Sequence, residues 1–404
     1  MNMLNGSHVK QQIISTLYFE KRLSSVELSN MLGKSIPHVT KVLMELLEAG
    51  YIIEAGLAPS SGGRRALEYS LKADRIYIIA VAMDQLYTKI ALTDVLDNPV
   101  IPIETHELRL LNNAEALPEL VQIINGVIER SGVDKASIAG MGIGMPGFTN
   151  TKLGVNYSYL VPPDGESLYK YLERALELPV SIDNDSSLVA LAELKFGLAK
   201  EKEEVMVINI GWGIGLGMIV NGVLFRGFTG YAGELSHIPI SENDTLCECG
   251  KRGCLETEAT LRVVTDTAMR EIKTGRISSL KYDDRPEQMS EAIMVAANKG
   301  DQYAIELLSD MGYKIGKAIA ILIHIVNPEL IVLSGRGAEV GKILLAPIQQ
   351  ALNKYCIPRL SEFTGVKVSP VGRKAELVGA AALVMENLAR PVSAKTGTVK
   401  ATAG

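Results

Sequence analysis

The sequence predicts an α/β protein, with a winged helix-turn-helix at the N-terminus and a two-lobed body behind it. Three observations carry that expectation. Residues 1–72 hold three short helical patterns, a glycine turn before the last, and two strand-like runs around a glycine-rich tip. The strand–turn–strand pattern of residues 76–93 returns at 205–220, each time followed by helical segments and further strands, as in a duplicated α/β chain. At 404 residues the chain is too long for one ordinary domain, and its 47% hydrophobic content supplies ample core. The expected divisions are a head at 1–72, a first lobe at 73–190 with 375–390 packing back on it, a second lobe at 191–374, and a mobile tail at 391–404.

In the head, residues 8–19 place Ile13, Ile14 and Leu17 on one helical face. Ser24-Ser-Val-Glu27 has the form of a capping box and opens a short helix to Met31, which Gly33 breaks. Ser35 is positioned to cap the next helix, with Pro37 tolerated in its first turn. Val39, Val42, Leu43, Leu46 and Leu47 then form one apolar stripe, and Gly50 ends the helix. Strands at 51–54 and 66–71 flank a tip running from Pro59 to Arg65. Such a helix offers Ser35, His38, Thr40, Lys41 and Met44 to the major groove of double-stranded DNA. Arg64 and Arg65 suit phosphate or a narrow minor groove. Eight Lys/Arg against six acids make the head mildly basic, while the whole chain carries −5. The same helical pattern also fits a protein–protein module, a reading the Gly-Gly-Arg-Arg tip argues against.

In the body, 76–83 and 88–93 are strands joined through Asp84-Gln-Leu-Tyr87, and 205–210 and 216–220 are strands joined through Gly211-Trp-Gly-Ile-Gly215. A buried strand at 138–143 ends in Gly144-Met-Pro-Gly147. A strand at 180–182 runs into Asp183-Asn-Asp-Ser186, with helix from Leu188, and a strand at 330–333 ends in Ser334-Gly-Arg-Gly337. Such loops converge on an interlobe cleft, the usual place for a ligand. A last helix spans 375–387. The longest apolar run, 318–326, contains His324 and is too short to cross a bilayer, so it reads as a buried helix end and no membrane partner is expected. Four cysteines and no secretory signal point to a reducing cytoplasm.

Three of those cysteines fall within residues 230–256, beside one of five histidines. His237, Cys247, Cys249 and Cys254 form a closed set of the kind that holds a structural Zn2+, the alternative being chance clustering of buried thiols. Glu234 and Glu256 bracket the set. Cys356 stands outside it and reads as structural.

Gly142-Ile-Gly-Met-Pro-Gly147, Asn184-Asp185, Gly213-Ile-Gly215 before Gly233-Glu-Leu-Ser-His237, and Cys247-x-Cys-Gly-x-x-Gly-Cys-Leu-Glu256 together resemble the ROK family of repressors and sugar kinases. The resemblance implies a two-lobed actin-like ATPase fold, and the added head is similar to the family's repressor branch. It also implies that Asn184, Asp185, Glu234, His237 and Glu256 bind a sugar, His237 using one ring nitrogen on zinc and the other on sugar. The family's kinases carry Asp-x-Gly-Gly-Thr in the first hairpin, where this chain has Asp84-Gln-Leu-Tyr-Thr88, and Trp212 replaces a phosphate-contacting Thr in the second. Bulk in place of two glycines argues against ATP. The expectation is therefore a sugar-responsive repressor without catalysis, a homodimer or homotetramer on operator DNA. The alternative is a sugar kinase with an added DNA-binding domain and Asp185 as general base. A sugar-phosphate effector would need basic neighbours, for which Arg336 and Lys251 are the candidates.

Overall fold

The structure, a computed structural model, describes residues 7–59, 65–163 and 165–389. Arg64 and the tail at 391–404 lie outside the described residues. Caps and one buried stripe shape the head. α1 (His8–Glu20) buries Ile13, Ile14, Leu17 and Tyr18. After β1 (Leu23–Ser24), α2 (Ser25–Leu32) opens on a reciprocal capping box. The Glu27 amide donates to Ser24 Oγ at 3.3 Å, and the Ser24 amide donates to Glu27 Oε2 at 2.7 Å. Gly33 closes α2 at φ +61°, a conformation glycine adopts without steric cost.

α3 (Ile36–Glu48) buries Val39, Val42, Leu43 and Leu46, while Leu47 stays half-buried. Ser35 sits at its N-cap but makes no side-chain capping bond, contrary to expectation; Pro37, which removes one of the orphan first-turn donors, leaves less for a cap to satisfy. β2 (Ile52–Leu57) pairs antiparallel with β3 (Leu67–Leu71), and β1 joins on the other side of β3. Two residues are too few to show alternation, so β1 leaves no pattern in the sequence.

Ser24→Ala is expected to destabilise the head by about 1 kcal/mol, read as a lower denaturant midpoint. Hydrogen bonds from Ser24 hold the Glu27 carboxyl below its ordinary value. The cap's charge-assisted part is therefore present above that ordinary value and is lost as pH falls through the lowered one.

The described residues fall into two compact units: those up to Asp185 together with those from Leu377 on, and Ser186–Glu376. Beyond the head, the first unit contains β4 (Tyr77–Met83), β5 (Tyr87–Asp94), β6 (Glu104–Glu107), α4 (Ala116–Ser131), β7 (Ile138–Met145), the small hairpin of β8 (Thr149–Asn150) and β9 (Val155–Asn156), α5 (Leu168–Leu176) and β10 (Val180–Asn184). Its sheet runs β10-β7-β4-β5-β6, with β4 parallel to β7 and antiparallel to β5. Ile79, Val81, Leu92, Met141, Ile143, Leu120 and Leu172 meet in its core.

The second unit is formed by α6 (Asp185–Phe196), whose first residue closes the first unit, β11 (Val205–Ile210), β12 (Ile214–Val220), β13 (Val223–Leu224), α7 (Leu261–Lys273), α8 (Pro286–Asn298), α9 (Gln302–Val326), β14 (Leu330–Ser334), α10 (Lys342–Tyr355), α11 (Pro358–Ser361) and β15 (Gly365–Val368). Its sheet order is β13-β12-β11-β14-β15, again a mix of antiparallel hairpin and parallel crossover. Met206, Ile208, Ile315, Ile319, Ile331, Leu333 and Ile348 lie in its core. Finally α12 (Ala375–Leu388) returns most of its length to the first unit. There it closes on β7, where a Cβ on Gly142 would run into the Ala380 carbonyl.

Two further expectations need correction. Helix resumes at Asp185 rather than Leu188, because a carboxylate is favoured in a first turn and helix begins before its apolar periodicity does. The end of α9 is not buried: Ile325 is 74% exposed, and His324 turns outward to accept the Ile357 amide at 3.1 Å. Among the described residues no helix is long and apolar enough to cross a membrane.

Candidate functional site

The cysteine-rich segment is held by short-range backbone pairing. The Ile240 amide donates to the Gly253 carbonyl at 2.9 Å, the Leu255 amide to Ile238 at 3.1 Å, and the Cys247 amide to Lys251 at 2.8 Å. Gly253, at φ +73°, packs so closely on the Ser241 carbonyl that a Cβ has no room. From α9, Lys317 Nζ donates to the Ile240 carbonyl at 3.0 Å, a tether the sequence does not reveal.

This frame brings His237, Cys247, Cys249 and Cys254 together, with one ligand atom from each lying within 4.8 Å of all the others. Cys247 Sγ is 3.7 Å from His237 Nδ1, and Cys249 Sγ is 3.7 Å from Cys254 Sγ. A tetrahedral centre with bonds of about 2.0–2.3 Å puts its ligands roughly 3.3–3.8 Å apart, so the four atoms fit a metal ion. Burial pushes the Cys254 thiol up to about 12 and raises Cys247. A bound cation is what deprotonates such a set. Nδ1 of His237 faces the sulfurs while Nε2 lies 3.8 Å from Glu234 Oε2. Removal from water raises the carboxyls of Glu234 and Glu256 and lowers the His237 imidazole. Glu256 Oε2 also accepts the Ile214 amide at 3.3 Å, which ties it to the start of β12.

The other expected sugar ligands belong to the first unit. Asn184 ends β10, and its Nδ2 donates to the Gly147 carbonyl at 3.3 Å; Asp185 is half-buried at the first position of α6. Gly147 opens a loop fixed by Asn156, whose Oδ1 accepts the Ser158 and Tyr159 amides at 2.9 Å each and whose Nδ2 donates to the Pro146 carbonyl at 2.9 Å.

The two hairpin loops are occupied by their own chain. Asp84 Oδ1 accepts the Leu86 amide at 2.8 Å and the Tyr87 amide at 2.7 Å, and no residue of 84–88 takes a positive φ. Gln85 Nε2 donates to Tyr159 Oη at 3.1 Å. At the second hairpin the Arg262 amide donates to the Trp212 carbonyl at 3.3 Å. Arg336, expected as a candidate for a phosphosugar, is spent on Glu287 at 3.2 Å and is mostly buried. In the head, Ser35, His38 and Lys41 are exposed and Thr40 is half-buried. Arg65 folds back, with Nε donating to Ala58 O at 2.7 Å and Nη2 to Leu57 O at 3.2 Å.

Residues 88–387 match the model of the ROK family. The chain belongs to the ROK family. A xylose repressor from Caldicellulosiruptor bescii is 27% identical over 391 residues, covering 94% of this chain and 96% of that protein. A glucokinase from Halalkalibacterium halodurans is 32% identical over 256 residues, 62% of this chain and 78% of that protein. A solved structure of a ROK family transcriptional regulator, homolog of the E. coli MLC protein, aligns at TM-score 0.74 and 26% identity over 95% of this chain and 97% of that one. The α/β fold, with its two-lobed actin-like body, stands as expected. The ROK match begins at Thr88, so the head lies outside it, whereas the similarity to the xylose repressor includes most of the head.

Proposed function

We propose that this ROK protein is a sugar-responsive transcriptional repressor that binds operator DNA through its head as a homodimer or homotetramer in the cytoplasm, and does not phosphorylate its sugar. One observation carries the reading. The sugar-ligand set is present in a chain whose first hairpin turns its amides onto Asp84, where the resemblance places nucleotide phosphates. The similarity to a xylose repressor along nearly the full chain supports the regulatory half.

In this reading Asn184, Asp185, Glu234, His237 and Glu256 hold the sugar hydroxyls. Carboxylates accept from hydroxyls, while Asn184 both donates and accepts. A structural zinc takes Nδ1 of His237 and the three thiolates, leaving Nε2 to the sugar. The engagement of Arg336 with Glu287 favours an unphosphorylated sugar over a sugar phosphate. The exposed Ser35, His38 and Lys41 reach the major groove, with Thr40 beside them. Arg65 braces the wing strands, and Arg64, which lies outside the described residues, is retained only as the expected phosphate contact.

A thermal-shift screen of sugars and sugar phosphates, with ATP in parallel, tests the pocket. A free sugar is expected to raise the melting midpoint and ATP to leave it unchanged. The similarity to a glucokinase and the retention of Asp185 favour a kinase as the second reading; an ATP shift with turnover in a coupled assay decides for it. For the head, Lys41→Ala is expected to weaken operator binding about tenfold and to reduce the salt slope by about 1, as loss of a single phosphate contact does. Anisotropy titrations at several salt concentrations check both numbers, and an unchanged slope removes Lys41 from the interface.

A further inference from the structure

The head meets the rest of the first unit at a tight turn between β5 and the chain that follows it. Asp94, almost fully buried, builds this turn. Its Oδ1 accepts the Leu96 amide at 2.8 Å and the Asn98 amide at 3.0 Å, and its Oδ2 accepts Asn98 Nδ2 at 3.0 Å. Asp97 is thereby held at φ +65° with its carboxylate presented to the end of α1. Tyr18 Oη donates to Asp97 Oδ1 at 3.2 Å, and Lys21 Nζ pairs with Oδ2 at 3.2 Å while lying 4.9 Å over the Tyr18 ring. An exposed Lys–Asp pair alone contributes little. Tyr18 is only 1% exposed, so its hydroxyl has scant access to water and depends on protein acceptors. A phenol locked in the head's core is thus hydrogen-bonded to a turn that Asp94 holds rigid. β5 starts at the other end of the same strand beside the Asp84–Tyr87 loop, which Gln85 ties to Tyr159.

We propose that Asp97 is a positioning residue that fixes α1 on the turn following β5 and so sets the direction in which the head presents α3. The consequence for DNA rests on the DNA-binding reading above; the contact itself does not. Asp97→Gly removes the carboxylate yet suits the left-handed turn, whereas Asp97→Asn keeps the turn and an oxygen for Tyr18.

Amide hydrogen exchange on the full chain without DNA is the first measurement. Asp97→Gly is expected to speed exchange across residues 13–20 about tenfold, as release of a local restraint does, while the Leu96 and Asn98 amides and β7 stay as protected as before. Asp97→Asn is expected to recover most of the protection. The second measurement is affinity for a series of duplexes carrying two operator half-sites at varied separation. The unaltered chain is expected to prefer one separation, and Asp97→Gly to flatten that preference at least threefold. Unchanged exchange in residues 13–20 overturns the fixing contact. Faster exchange with the spacing preference intact overturns the positioning role. If the unaltered chain binds no duplex, the DNA reading falls, and exchange alone decides whether Asp97 fixes the head.

Discussion

Cys249→Ala is expected to lose the metal ion and the response to sugar together. Cys249 is the exposed member of the four-ligand set, so its removal leaves little cavity and the effect is nearly all coordination. Structural zinc in small peptides is bound by roughly 10–16 kcal/mol, and a missing thiolate removes several of these. The three remaining ligands then lose the ion's charge, and burial returns Cys247 and Cys254 toward neutral thiols. His237, whose Nδ1 would hold the ion, then loses that anchor, so the orientation of Nε2 beside Glu234 is no longer imposed. Changes around a metal-bound histidine commonly cost about 10–100-fold, and sugar affinity is expected to fall by that much. Metal content by mass spectrometry and the sugar-induced thermal shift read the two losses, with operator binding by the head as the control that survives. A metal-free variant that keeps its full sugar shift would show that the site is only a local staple.

Gly142→Ala is expected to destabilise the first unit by about 3 kcal/mol, at the upper end for overpacking, because the obstacle is backbone. β7 is buried along all eight residues, between β10 and β4. The new methyl would run into the Ala380 carbonyl and lie 3.1 Å from Val384 Cγ2. Neither side of the clash can swing away: β7 is bonded into the sheet, and Ala380 sits mid-helix in α12. For a unit of this size the loss corresponds to a fall of roughly 6–12 °C in the unfolding midpoint. A fall of less than about 2 °C would mean that α12 shifts to make room. Gly142 belongs to the motif that carries the family resemblance, yet its role in this structure is the close approach of a helix rather than of a ligand.

Much of the head was legible because its determinants lie within a turn or two of each other. The Ser24–Glu27 box and the Val39–Leu46 stripe are local patterns, and the structure repeats them. The His–Cys cluster was legible for the same reason, since all four residues fall within one segment, and thiol and imidazole donors suit a soft or borderline cation. Arg65 and Arg336 were legible as cations but not as engaged ones. Arg65 turns onto its own wing, and the partner of Arg336, Glu287, is 49 residues away. Asp84 stood in the sequence at the head of the loop that the resemblance matches to a phosphate site. That its carboxylate takes the loop's amides depends on the path of the backbone.

By itself, the sequence determined the three helices of the head, the two matching hairpins, the His–Cys cluster and the family, because each rests on residue types at short and fixed spacing. Only the tertiary structure decided which nitrogen of His237 faces the sulfurs, why Gly142 must be glycine, and where the head is fastened. Each of those depends on a partner far along the chain or on a bond direction, and a side chain's bonding is chosen by what packing brings beside it. The Tyr18–Asp97 bond spans 79 residues, and no local pattern in either segment announces it.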